Sequence, residues 1–354
     1  MLYINLSFDY ELFMGQNYVP EKEVLIDPTD NLCAMLSAEN VSGTFFADIY
    51  CPMKYRDLGN HSFPELFDNQ LQNMIKQGHD VQLHIHPNWL TTTKIGKKVE
   101  FDQNFYRIHN WADGDDYSPV KKLVHDGICY INNLIKPIDE NYRCVAFRAG
   151  GFCLQPEKKL APILYDEGIR IDSSVCRGMA YSGGGMYYDY KKISKKKNVY
   201  ISQENSLSDA ITSETANSVF EVPIGSYNTF PHRQIAAKLN KKISLKPENG
   251  YGMPLPKRKI TVFDKTFGRL TRIFTAYNML TFDFFNSTAL IYMLKRIFKE
   301  ENCKKNDVFI ATISHPKALT EEHISGMRKV IREIKKNPYV KFVNMQDIAK
   351  IKSL

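Results

Sequence analysis

Asp9 and Glu11 close the first apolar run of this 354-residue chain. Two residues apart on an extended backbone, they face the same side. His84 and His86 close another apolar run with the same spacing, about 6.5–7 Å along a strand, so both rings can reach one ion. Arg148 ends a third run just before Gly150-Gly151, Asp172 ends the next, and His315 ends a run near the C-terminus, ahead of Pro316. Carboxylate and imidazole together suit zinc or another divalent first-row ion. Taken singly, each residue has an ordinary alternative. The acids serve equally as caps or surface charges, an HxH pair is exposed nearly as often as it binds metal, Arg148 suits a structural ion pair, and His315-Pro316 suits a turn. Their joint placement at strand ends gives them weight, because parallel barrels build their sites there. His61, His79, His109, His125, His232 and His323 lack such company and are expected at the surface or in caps.

The elements that must position these groups alternate. Strands are expected over 2–8, 43–47, 80–86, 143–149, 169–172, 219–222, 308–314 and 340–343. Helices are expected over 30–38, 63–77, 120–135, 156–167, 288–301 and, as the last, 321–336. Gly78 and Gly168 sit just past helix ends, a favoured position. Strand then helix, repeated, predicts parallel strands with crossover helices. No GxGxxG follows the first strand, so a closed or nearly closed barrel fits better than a dinucleotide fold. The expected fold class is α/β: a distorted (β/α) barrel of about seven parallel strands, a single domain over 1–354. Stretches 176–218 and 225–285 break the rhythm and are expected as insertions over the active face.

Composition narrows the class. Hydrophobic residues make up 43% and charged residues 24%, which excludes a disordered or fibrous chain. No apolar run is long enough for a membrane span, and MLYINLSFDYEL reads as a strand without the basic start of a signal peptide. The seven cysteines are scattered without a CxxC pair, which predicts reduced, mostly buried thiols in a cytoplasmic protein. Net charge is +8, with clusters at Lys191, Lys192, Lys195, Lys196 and Lys197 and at Lys257, Arg258 and Lys259. No nucleic-acid motif accompanies that charge. An anionic ligand, such as a nucleotide- or lipid-diphosphate sugar, would be drawn to it.

Five short segments in order carry a family resemblance: Ser7-Phe8-Asp9-Tyr10-Glu11, Gly43-Thr44-Phe45-Phe46, Gly78-His79-Asp80-Val81-Gln82-Leu83-His84, Phe147-Arg148-Ala149-Gly150-Gly151 and Ile313-Ser314-His315-Pro316. Together they resemble the polysaccharide deacetylases, the chitooligosaccharide-deacetylase-like enzymes of carbohydrate esterase family 4. The resemblance covers residues 2 to about 175 and about 308 to 320. It implies a distorted (β/α) barrel with an Asp-His-His metal site. By position it makes Asp9 the base that takes a proton from the attacking water, Arg148 the residue that orients that base, and His315 the general acid.

The chain departs from the family pattern twice. The acid that ligates the metal follows the base directly or one residue later; Tyr10 is next here, so Glu11 takes that role. His84 matches the first metal histidine, but Asn88 stands where the second is expected. Three readings stay open there: His86 substitutes, Asn88 binds weakly through its oxygen, or the site is degenerate. The preferred ligand set is Glu11, His84 and His86, with zinc as the expected metal.

The resemblance implies a metal-dependent hydrolase that removes an N-acetyl or other acyl group from a sugar, and the lack of a signal-peptide start makes a cytoplasmic intermediate of surface-glycan biosynthesis the expected substrate. The alternative is a barrel that binds a glycan or nucleotide sugar without catalysis.

Overall fold

A computed structural model of the protein describes residues 1–13, 20–95, 99–193, 198–209, 211–215, 217–228, 277–283 and 287–354. Lys195, Lys196, Lys197, Lys257, Arg258, Lys259, His232 and most of the expected second insertion lie outside the described residues.

Seven parallel strands form a ring among them: β1 (Leu2–Tyr10), β2 (Gly43–Asp48), β3 (Asp80–Ile85), β4 (Ala146–Ala149), β5 (Ile171–Asp172), β6 (Val219–Glu221) and β7 (Val308–Ala311). Each pairs with the next from β1 to β6, and β7 pairs with β1. A single parallel bridge, Ile224 to Ala311, joins the chain just after β6 to β7 and closes the circuit. Val340–Phe342 adds in parallel to the first half of β1, and Tyr200–Ile201 adds antiparallel to β6. The fold is therefore the expected distorted α/β barrel.

Every residue of β1 is buried, as is usual for a strand lying between a barrel interior and a helical layer. The pleat sends alternate residues to opposite sides. Ile4, Leu6, Phe8 and Tyr10 join the larger apolar cluster shared with the surrounding helices. Tyr3 joins a smaller interior cluster with Phe46, Ala146, Ile171, Phe220 and Phe309. Burying one such side chain contributes about 1.5–3 kcal/mol relative to exposing it. On the phase of Tyr3, Asn5, Ser7 and Asp9 lead along the barrel axis toward the C-terminal mouth.

Most element limits match the sequence pattern within a few residues, with three informative differences. β4 begins at Ala146 and leaves Arg143 to Val145 outside the strand, because the Gln82 side-chain oxygen takes the backbone N–H groups of Val145 and Ala146 at 2.9 and 2.7 Å. A further helix, Met345–Lys352, follows the one expected to be last; Asn344 and Asp347 form its capping box. It closes the N-terminal end of the barrel, where the Met345 N–H donates to Asp80 Oδ2 at 3.0 Å. His79 is buried rather than superficial, and its Nδ1 accepts from the Gly43 N–H at 3.3 Å.

The interval 176–218 contains a hairpin, Ala180–Gly183 with Met186–Asp189, as well as Tyr200–Ile201. All seven cysteines are free, and only Cys129 is not buried. Among the described residues, no helix is long and apolar enough to cross a membrane.

Candidate active site

At the C-terminal mouth of the barrel, two carboxylates each meet a cation. Arg148, fully buried on β4, donates from Nη1 to Asp9 Oδ1 at 2.6 Å, from Nη2 to Ser7 Oγ at 2.7 Å and from Nε to the Ser173 carbonyl at 2.8 Å. Its guanidinium lies 4.1 Å from the centre of the Phe46 ring. The fork is thus fixed on three sides, and Asp9 with it. Burial alone would push the Asp9 carboxyl up, but Arg148, His84 and His315 outweigh it and hold the group below its usual value. Asp9 is accordingly an ionised acceptor.

Glu11, just past β1, divides its oxygens. Oε2 lies 2.7 Å from His86 Nε2 and 3.3 Å from His84 Nε2; Oε1 lies 2.8 Å from Lys317 Nζ. Burial works against its charge, but Lys317 and His86 favour it more, so the carboxyl lies well below its ordinary value. One ligand atom from each of Glu11, His84 and His86 falls within 4.8 Å of the others, and all three residues are buried.

This donor set fits a divalent ion. His84 Nδ1–H donates to the Arg148 carbonyl at 2.8 Å, which fixes the ring's orientation and leaves Nε2 to face Glu11. Burial disfavours the His84 cation, yet Asp9 and Glu11 raise its pKa to about 9. An ion bound here therefore competes with a proton.

His86 is held differently. Its buried Nδ1 has no hydrogen-bond partner among the described residues, and its ring stands edge-on to Tyr106 at 5.4 Å. Gly150 closes the other side: a methyl group there would sit 2.6 Å from the Ile85 carbonyl and 2.8 Å from His86 Nδ1. Gly150→Ala should therefore displace the ring and weaken zinc binding about 10–100-fold. A chelator-competition titration checks this, and wild-type affinity in the folded variant would show that packing at residue 150 does not place His86.

His315 follows β7 and keeps 26% of its side chain exposed, so its ring is open to a ligand entering the mouth. Asp283 accepts from the His315 backbone N–H at 3.1 Å and lies 2.7 Å from its Nδ1. Nε2 consequently faces Asp9 Oδ2 at 3.8 Å and Glu11 Oε1 at 3.6 Å. Burial works against the imidazolium, but Asp283, Glu11 and Asp9 together outweigh it and raise the pKa.

Six of the seven residues singled out at strand ends thus meet at one mouth; the seventh is Asp172. Asn88 is buried in the short turn Pro87–Thr91, where its carbonyl accepts from Thr91 Oγ1 at 2.8 Å. Asp172 lies to one side and supports Ser174, which in turn accepts from the Ala149 N–H. The pattern passed over Asp283 and Lys317. Asp283 had a readable signal, since Thr281-Phe282-Asp283 repeats the form of Ser7-Phe8-Asp9, but it fell within the stretch taken as an insertion.

No family model matches the sequence. A comparison with curated proteins also finds no match. Among solved structures, the chain is similar to a "putative polysaccharide deacetylase" from Mycobacterium smegmatis, with 12% identity, 99% of this chain and 89% of that one covered, and a TM-score of 0.49. It is similar to the Puue allantoinase at 9% identity, with 99% and 89% covered and a TM-score of 0.48. It is also similar to the catalytic domain of the peptidoglycan N-acetylglucosamine deacetylase from Eubacterium rectale ATCC 33656, at 10% identity, with 97% and 88% covered and a TM-score of 0.39.

Proposed function

We propose that this protein is a metal-dependent hydrolase that removes an N-acetyl, or another acyl, group from a sugar. The observation that carries the reading is the meeting of a Glu11, His84 and His86 donor set with an Arg148-held carboxylate and an Asp283-held imidazole at one barrel mouth. A divalent metal, zinc by the chemistry of the donors, would be held by Glu11, His84 and His86 and would supply Lewis acidity to the acyl carbonyl and an acidified water.

The chain's own residues account for the proton transfers. Asp9 Oδ2, the oxygen not taken by Arg148, accepts the proton of the attacking water, and Arg148 keeps that carboxylate charged and aimed. His315 Nε2–H donates to the departing sugar nitrogen while Asp283 holds Nδ1 and stabilises the cation. The products are a free carboxylic acid, acetate for an acetyl group, and an amino sugar.

The substrate we infer is a sugar carried on a nucleotide or lipid diphosphate, an intermediate of surface-glycan assembly in the cytoplasm. The net charge of +8 supports an anionic carrier. A second reading, a barrel that binds such a sugar without catalysis, draws support from the Lys317 ammonium on Glu11 and from Asn88 at the position of an expected ligand.

One experiment separates them. Protein purified without chelator should carry about one equivalent of metal and release acetate from a panel of nucleotide- and lipid-linked N-acetyl sugars. Absence of both zinc and other first-row metals would favour the binding reading, and metal without acetate release would redirect the search to other acyl groups.

A further inference from the structure

Lys317 lies two residues past His315 in the same short turn, Pro316–Ala318, which the Ala318 N–H ties to the His315 carbonyl at 2.8 Å. Its side chain is only 10% exposed, an unusual position for lysine unless it is paired. An ammonium has three donors and no acceptor. One meets Glu11 Oε1 at 2.8 Å, another meets the Leu12 carbonyl at 2.9 Å, and the charge faces the Phe13 ring at 4.9 Å. Two of its three donors are thus held, one of them on the carboxylate. It therefore does for Glu11 what Arg148 does for Asp9: it occupies one oxygen and fixes the direction of the other.

We propose that Lys317 is a positioning residue which reserves Glu11 Oε1 for itself, so that Glu11 offers only Oε2 beside His84 and His86. The proposal rests on the reading that these three residues hold a metal. A free glutamate can give an ion both oxygens. Held as it is here, Glu11 gives one and keeps a coordination position open for water or substrate, the condition that separates catalytic from closed structural sites. The turn that carries the His315 acid thereby also sets the ligand, so both are placed by one rigid element.

Cobalt(II) is the probe, because its visible absorption reports coordination number. The wild-type protein, Lys317→Met and Lys317→Arg are each loaded with cobalt(II), and their folding is verified by circular dichroism. Lys317→Met should show a weaker visible band, as expected for a higher coordination number, and at least tenfold lower kcat with little change in KM. Lys317→Arg, which keeps a charged donor, should retain the wild-type band and most of the turnover. A folded Lys317→Met protein with the wild-type spectrum would overturn the proposal, as would equal perturbation by Met and Arg, which would mark a packing role. If the wild-type protein takes up no cobalt, the metal reading itself fails, a result distinct from any difference between the variants.

Discussion

Asp9→Asn should keep its metal and lose about 10²–10⁴-fold in turnover, the range expected when a general base is removed. The structure separates the two properties. The metal-ligand set is Glu11, His84 and His86, whereas Asp9 is bound to Arg148 at 2.6 Å and stands 3.9 Å from His84 Nε2. Asparagine preserves the shape and one acceptor for Arg148 but cannot take a proton from water. It also leaves a fully buried guanidinium without its counter-charge, which costs up to about 3–5 kcal/mol of stability. Turnover should therefore be measured well below the lowered Tm and alongside metal content. Undiminished activity would remove Asp9 from the proton path, and loss of metal would make it a ligand.

His86→Ala should abolish metal binding, while Asn88→Ala should weaken it less than about tenfold. His86 Nε2 is 2.7 Å from Glu11 Oε2, in the same cluster as His84. Losing one of three protein ligands leaves too few to hold a catalytic ion. Asn88 lies beyond the end of β3, in a turn opened by Pro87, and an amide oxygen is a poor partner for zinc beside imidazole. Titration of both variants with zinc against a chelator checks the contrast. Full occupancy in His86→Ala would exclude His86 as a ligand, and equal losses in the two variants would bring Asn88 into the site.

Legibility differed from residue to residue. His84 and His86 were readable as a pair because strand period two is local and survives whatever the strand packs against. Glu11 was readable beside Asp9 for the same reason, although β1 runs on to Tyr10 and takes Asp9 into the strand. His79, in the same segment as His84, is expected at the surface or in a cap but is buried. A polar residue before a strand looks exposed until the neighbouring strand supplies a donor, here the Gly43 N–H. Asp283 was hidden by composition: it is one of the few described residues in a long stretch without helix or strand rhythm, yet Thr281 bridges to Ile313 and brings the acid to His315.

The sequence by itself determined the alternation of strands and helices, the strand ends that carry chemistry, and which side of each strand an acid or imidazole occupies. These depend on backbone periodicity and on turn residues within a few positions of each other. The tertiary structure alone decided which charges meet. Lys317 reaches Glu11 across 306 residues of sequence, and Arg148 reaches Asp9 across 139. The first contact follows from the pairing of β7 with β1, and the second from the curl of the sheet that brings β4 back toward β1 across β2 and β3. Ring closure is a property of the summed twist and stagger of all the strands, and no local window of sequence contains it.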